Sequence, residues 1–328
     1  MENVMEEIYQ IAHDKNTLLS LMIELLTECN EKCVHCYIPK HNTKGLSLDK
    51  LKDIIVQFRK LGGLNLSLTG GEIFLRNDIF KIISFARENY LRVFLLTNAS
   101  LISEDVARKL KNLYIAELSV SVYSLVPEIH DSITGVKGSL ESTLRGLSFA
   151  KKYEIPVTVK TPIMEINKNS FLNIKKYCDE NNFAFMASAI IFAKSNGDMK
   201  VKSLTVNDKD LIPIYNDIKE YEPKGKRNDF EEACGSLRYM LAINAEGDVF
   251  PCNSFLYKVG NVEKDSLQEI WFSEKLKSIQ NIKKSELIKC KDCEIKEKCS
   301  RCPGLALLED GDIWGCSSTA RKFAEIRL

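Results

Sequence analysis

Cys29-Asn30-Glu31-Lys32-Cys33-Val34-His35-Cys36-Tyr37 follows closely on an apolar run, Leu19 to Leu26. The cysteines are spaced C-x3-C-x2-C, three thiols within eight residues. Soft sulfur ligands this close together converge on one metal centre instead of filling core positions one by one. Their number is informative, because a [4Fe–4S] cube held by three protein ligands leaves one iron open to another ligand. A structural zinc knuckle is the alternative, and it would close with a fourth ligand, His35 or His41. The apolar run reads as a strand, so the cysteine loop lies at that strand's carboxyl end.

Downstream, helix and strand patterns alternate. Ser47 to Leu61 has helical spacing, with Ser47 as its cap and Gly62-Gly63 as its end. Leu64 to Leu68 alternates like a strand and runs into Thr69-Gly70-Gly71-Glu72. Helices are expected over 79–90, 103–113, 139–153 and 169–180, and strands over 92–96, 117–123, 156–163 and 183–192. Six strands alternating with helices imply parallel strands joined by right-handed crossovers. An open sheet and a barrel both satisfy this pattern. In either, the active site belongs at the carboxyl ends of the strands.

The cysteine triplet, with His35 before its third thiol and Tyr37 after it, resembles the signature of the radical S-adenosylmethionine enzymes. The resemblance implies a partial (β/α)6 TIM-type barrel in an α/β chain. It also implies a cluster on Cys29, Cys33 and Cys36 whose open iron chelates S-adenosylmethionine, with His35 and Tyr37 beside the cofactor. Reduction would then cleave the cofactor to methionine and a 5′-deoxyadenosyl radical, the protein's part being to position it and exclude competing reactions. Gly70-Gly71-Glu72 is similar to the family's turn that holds the cofactor's amino group. Asn98, Ser121 and Arg145 match positions where relatives contact the ribose, the methionine moiety and the carboxylate. Ser119 and Ser121 would equally fill a barrel interior, and Arg145 would equally be an exposed helix residue. Cys178 stands alone in a helical pattern as a small buried hydrophobe; a sharper reading makes it a hydrogen-atom donor to a substrate radical. His13 and His130 have no partners at ligand spacing and read as structural.

The cycle stops after residue 194. Residues 195–229 are polar, with Gly197, Pro213, Pro223 and Gly225 and a helix-like stretch from Asp208 to Tyr221, and read as a bridge. Residues 230–328 carry seven more cysteines: Cys234 and Cys252 around Gly247 as C-x12-G-x4-C, then Cys290, Cys293, Cys299 and Cys302 as C-x2-C-x5-C-x2-C, then Cys316. This resembles the small cysteine-rich SPASM domain of radical S-adenosylmethionine enzymes, with the gap before Cys302 one residue shorter than usual. The resemblance implies two auxiliary clusters, so three [4Fe–4S] clusters in all. Cys290, Cys293, Cys299 and Cys316 would hold one. Cys234, Cys252 and Cys302 would hold the other, with one iron left without a cysteine. Four-cysteine zinc ribbons are the alternative, although seven ligands do not divide into two closed zinc sites.

Length and composition fit this picture. With 328 residues the chain can bury one large core and a smaller one. Lys and Arg number 46 against 45 Asp and Glu, so no basic footprint for a nucleic acid stands out. No apolar run approaches the roughly 18 residues of a membrane span, and the first residues lack a signal peptide's pattern. Eleven cysteines in clusters read as metal ligands in a reducing cytoplasm. The resembling enzymes mostly modify peptides or proteins, so the expected substrate is a ribosomal peptide, modified by a thioether or other side-chain crosslink or by epimerisation. A sulfatase-type formylglycine maturase is the enzymatic alternative. An iron–sulfur electron carrier or redox sensor is the alternative of another class, disfavoured by the Gly70-Gly71-Glu72 cradle. An external electron donor such as flavodoxin or ferredoxin is implied. Only 28 residues precede Cys29, so leader recognition is expected to need a separate protein, the barrel itself or the SPASM surface.

Overall fold

Strands rich in buried apolar side chains build the central sheet. The computed structural model describes residues 2–220 and 231–327. Helix α1 (Glu2–Asp14) leads into β1 (Ser20–Glu24), followed by α2 (Leu48–Lys60), β2 (Asn65–Thr69), α3 (Ile79–Glu88), β3 (Arg92–Thr97), α4 (Glu104–Asn112) and β4 (Glu117–Ser121). Two helices, α5 (Pro127–Thr134) and α6 (Ser139–Lys152), precede β5 (Val157–Pro162), and α7 (Phe171–Asn181) precedes β6 (Ala184–Ser188). All six strands pair in parallel in chain order, as the partial barrel requires.

In β1 the outward residues Leu21 and Ile23 pack under Leu51, Ile54, Ile55 and Phe58 of α2, within a core that also takes in residues of α3, α4, α6 and α7. Each such buried side chain contributes about 1.5–3 kcal/mol. Because strand side chains alternate, the opposite face carries Met22 and Glu24 of β1, Ser121 of β4 and Lys160 of β5 toward internal cavities.

The second module continues this sheet. Beyond α8 (Asp208–Ile218), β7 (Met240–Ile243) pairs in parallel with β1, from Ser20↔Met240 to Ile23↔Ile243. Then β8 (Asp248–Phe250) and β9 (Gly260–Asn261) add antiparallel, giving nine strands in the order β6-β5-β4-β3-β2-β1-β7-β8-β9. The remaining chain forms α9 (Leu267–Trp271), α10 (Glu274–Gln280), α11 (Ile288–Lys291), α12 (Pro303–Asp310) and α13 (Ser318–Ile326). Helix α1 joins the modules as well: His13 Nε2 lies 3.2 Å from Glu232, and Arg238 Nε donates to His13 O at 3.1 Å.

Several local expectations shift. Strand β6 ends at Ser188 instead of Phe192, level with Pro162 at the end of its partner β5, where Ile163 N–H still donates to Ser188 O at 2.8 Å. His130 is buried in α5 and bonds Ser139 Oγ at 3.1 Å, a structural placement. The expected helix end at Tyr221, with Pro223 and Gly225, lies outside the described residues. Among the described residues no helix is long and apolar enough to cross a membrane.

Gly146 sits where α6 presses on the end of β3: a Cβ there would meet Ala99 O at 2.1 Å. Replacing a helical glycine by alanine ordinarily stabilises by roughly 0.5–1 kcal/mol. Here Gly146→Ala is expected to destabilise by about 1–3 kcal/mol through overpacking, read as a lowered midpoint in denaturant unfolding.

Candidate active site

The carboxyl ends of β1 to β5 meet around a cavity of about 210 Å³. After Glu24 the chain turns through 25–28 into the cysteine loop, held against the end of β2 by backbone bonds. Leu25 N–H donates to Thr69 O at 2.8 Å, Gly71 N–H to Leu26 O at 3.0 Å and Glu72 N–H to Glu28 O at 3.0 Å. Only glycine permits this approach. A Cβ at Gly70, where φ is +141°, would stand 2.3 Å from Leu26 O, and one at Gly71 would stand 2.0 Å from Glu28 O. The far side of the loop is pinned to the end of α5, with Lys32 N–H on Thr134 O at 2.8 Å and Val34 N–H on Ile133 O at 2.9 Å.

Cys29, Cys33 and Cys36 all line this cavity. Burial pushes the Cys29 thiol up to about 11 and raises Cys33 and Cys36 as well. In the metal-free chain these groups are therefore protonated thiols. Bound iron would supply the positive charge that draws off their protons. Among the described residues no three His, Cys, Asp or Glu side chains close on a single ion. Thiols on a cube bind separate irons and stand farther apart than the ligands of one zinc ion, which lie about 4 Å from one another.

The surroundings contain polar atoms that a bound group would complete. Glu31 is buried, with Oε2 accepting from Cys33 Sγ at 3.4 Å and Oε1 without a partner; burial raises its carboxyl to about 7. His35 packs edge-on against Tyr123 at 4.9 Å, its Nδ1 is buried without a partner, and burial lowers its pKa to about 4. Three thiols and unsatisfied polar atoms around one space fit an iron–sulfur cluster with a polar ligand.

The structure brings His35, Tyr37, Gly70, Gly71, Asn98 and Ser121 to this cavity. Tyr37 donates to Glu24 Oε1 at 2.5 Å. Asn98 donates to Asn30 Oδ1 at 2.9 Å, which ties the third strand's end to the cysteine loop. Three expected residues stand elsewhere. Glu72 is wholly buried behind the wall, and its carboxylate accepts from Phe74 N–H at 3.0 Å, Asn98 N–H at 2.9 Å and Thr97 Oγ1 at 2.8 Å. It braces the strand ends and does not face the cavity. Arg145 is exposed, because Thr143 bonds Asn98 O at 3.0 Å and Gly146 abuts Ala99, so the adjoining face of α6 points away. Cys178 is fully buried with Ile174 and Phe183 in the outer core and lines none of the described cavities, which removes it as a hydrogen donor.

Lys160 escaped the sequence reading. It lies on β5 between Ser121 and Met186 and lines both the cysteine-loop cavity and a second chamber of about 300 Å³. Its one trace in the sequence is a lysine directly after Val157-Thr158-Val159, inside the expected strand over 156–163.

In the second module, Cys290, Cys293, Cys299 and Cys316 line one cavity of about 690 Å³ together with Lys289, Lys291, Lys296, Arg301 and Arg321. Arg301 Nε donates to Gly315 O at 2.8 Å, Nη2 bonds Ile313 O, and Nη1 is buried without a partner. A cationic rim with a spare buried donor fits an anionic thiolate–iron cluster. Cys252 is pushed up to about 12, first by burial and then by the neighbouring Cys302 and Cys234, so these three form the other group.

Comparison with known proteins decides the family. Residues 23–178 match the model of the radical SAM superfamily, and 234–303 match that of an iron–sulfur cluster-binding domain, SPASM. The chain belongs to the radical SAM superfamily. It is a radical SAM enzyme with a SPASM domain, and S-adenosylmethionine and iron–sulfur clusters are its cofactors. The AdoMet-dependent heme synthase of Methanosarcina barkeri is 25% identical over 88% of this chain and 92% of its own. The antilisterial bacteriocin subtilosin biosynthesis protein AlbA of Bacillus subtilis is 27% identical over 78% of this chain and 60% of its own. The crystal structure of Streptococcus suis SuiB bound to precursor peptide SuiA superposes with a TM-score of 0.74 at 17% identity, covering 96% of this chain and 79% of that one.

Two substitutions separate the wall from its surroundings. Arg145→Ala should leave S-adenosylmethionine affinity of the reconstituted enzyme within about two-fold, since its side chain faces solvent. Gly71→Val should lower that affinity more than ten-fold and cost up to the roughly four irons of one cube, because the turn it crowds sets the position of the cysteine loop.

Proposed function

We propose that this radical SAM enzyme modifies a peptide side chain. The observation that carries this reading is a set of neighbouring cavities that share lining residues, with walls from both modules. The cysteine-loop cavity shares His35, Tyr37 and Lys160 with the chamber of about 300 Å³, whose other wall is Asn253, Ser254, Leu256 and Leu308 of the second module. A further space of about 290 Å³ shares Tyr37, Ser195, Asn253 and Leu256 with that chamber. Adjoining spaces of this kind suit an extended chain from which one side chain reaches toward the cofactor. The similarity to the subtilosin biosynthesis protein supports the same substrate class.

The chemistry supplied by the bound groups is reductive cleavage of S-adenosylmethionine and abstraction of a hydrogen atom from an unactivated C–H bond, with auxiliary clusters receiving a further electron when substrate is oxidised. The chain's own residues divide the remaining work. Cys29, Cys33 and Cys36 hold the first cluster, and the Gly70-Gly71 turn offers close backbone to the cofactor's amino group. Asn98 and Ser121 present polar side chains to the cofactor from the ends of β3 and β4. His35, Tyr37 and Tyr123 pack over the thiols and exclude water. Cys290, Cys293, Cys299 and Cys316 hold one auxiliary cluster, and Cys234, Cys252 and Cys302 the other. An external flavodoxin or ferredoxin supplies electrons.

A second reading, a tetrapyrrole substrate, is favoured by the heme synthase similarity, which spans 88% of this chain and 92% of that relative. Isotope transfer distinguishes the two. A uniformly deuterated peptide encoded beside the gene should pass deuterium into 5′-deoxyadenosine; transfer from a deuterated porphyrin and none from such peptides would overturn the peptide reading.

Ligand replacement tests the clusters. Wild-type protein reconstituted without oxygen should hold about twelve irons per chain and form 5′-deoxyadenosine with dithionite and S-adenosylmethionine. The variant with Cys29, Cys33 and Cys36 all changed to Ala should keep about eight irons and form none. Retained cleavage in that variant would refute the assignment of the first cluster.

A further inference from the structure

Lys160 is the one charged side chain among the described residues lining the chamber between the modules; Glu31 accompanies it only on the cysteine-loop side. The chamber is otherwise apolar toward its middle, with Met186, Ile190, Ile191, Phe192, Leu256 and Leu308 in its wall. The Lys160 ammonium makes no hydrogen bond or ion pair with the described residues. The carboxylate that acts on it electrostatically, Glu117, lies at the opposite end of β4 and accepts from Ser119 Oγ at 2.8 Å. Burial lowers the Lys160 pKa, as expected for an ammonium held away from water without a partner.

A partly desolvated cation facing an apolar chamber is costly unless something bound there pays it back. Carbonyl oxygens would serve weakly, whereas a carboxylate would form a charge-assisted bond about twice as strong as a neutral one. The position matters as much as the charge. Lys160 stands on the wall shared by the two cavities, so a group bound to its ammonium lies at the edge of the cofactor space with its apolar body in the chamber. We propose that Lys160 is the substrate-reading residue, and that the substrate presents a carboxylate beside an apolar group, anchored on Lys160 so that carbons next to the carboxylate face the cofactor cavity. An acidic side chain or terminal carboxylate of a peptide has this chemistry, and so does an acid side chain on an apolar ring. The proposal rests on the chamber being the substrate site, which is part of the reading above.

S-adenosylmethionine also carries a carboxylate, so the test separates the two sources. Calorimetry on the anaerobically reconstituted enzyme would measure binding of 4-phenylbutanoate, its neutral amide 4-phenylbutanamide, and S-adenosylmethionine. The wild type should bind the acid about ten-fold or more tighter than the amide. Lys160→Met should bring that ratio close to one while the amide's affinity holds, and Lys160→Arg should keep most of the preference. S-adenosylmethionine affinity should shift by less than about two-fold in either variant. An acid preference that survives in Lys160→Met overturns the proposal, as does loss of S-adenosylmethionine affinity in place of acid affinity, or failure of the wild type to take up either probe. No turnover enters these measurements, so they can fail while formation of 5′-deoxyadenosine stands, and the reverse.

Discussion

The architecture depends on one close approach: the backbone of Gly70 and Gly71 lies directly on the backbone at 26–28. Side chains at those two positions would fall 2.3 and 2.0 Å from carbonyl oxygens, so this contact exists only because Cβ is missing twice. Through it, the end of β2 dictates where the chain leaves β1 and therefore where three thiols sit. Glu72, the next residue, extends the constraint to β3 by accepting from Thr97 and Asn98 N–H. Three neighbouring strands are thus locked to the loop by backbone and one buried carboxylate. The thiols need this rigidity, since burial leaves them protonated and ligand geometry must be ready when iron arrives.

The same logic explains how the second module relates to the first. Its β7 strand extends the barrel sheet beside β1, so the wall made by Asn253, Ser254 and Leu256 is referenced to the very strand that launches the cysteine loop. The chamber between the modules and the cysteine-loop cavity share His35, Tyr37 and Lys160 because both are built on one continuous sheet. A loosely tethered domain could not hold a substrate carbon at a fixed distance from a reactive centre.

Much of this was legible in the sequence, for identifiable reasons. Cysteine spacing is a local property, and C-x3-C-x2-C needs no tertiary information to suggest a cube with one open iron. The alternation of strand and helix is equally local, and it located the six barrel strands to within a few residues, β6 excepted. What failed depended on which way a side chain faces. Arg145 shares a helix with Thr143 and Gly146, and only their contacts with Asn98 and Ala99 reveal that it points to solvent. Cys178 read correctly as a small buried hydrophobe and could be excluded from the site only once α7 was seen outside the barrel. Lys160 was passed over because one lysine in a strand reads as an edge or solvent position until its neighbours across the sheet are known. The pairing of β7 with β1 joins residues more than two hundred positions apart, and no local pattern announces it.

The central claim is that Cys29, Cys33 and Cys36 alone hold a cluster whose fourth iron is left for S-adenosylmethionine. Diffraction from crystals grown without oxygen in the presence of S-adenosylmethionine, with data collected across the iron absorption edge, addresses it directly. The account predicts an iron signal at the cysteine loop, three sulfur ligands from the protein, and the amino and carboxylate groups of S-adenosylmethionine on the remaining iron. Zinc at that position, or a fourth ligand from the chain itself, would contradict it.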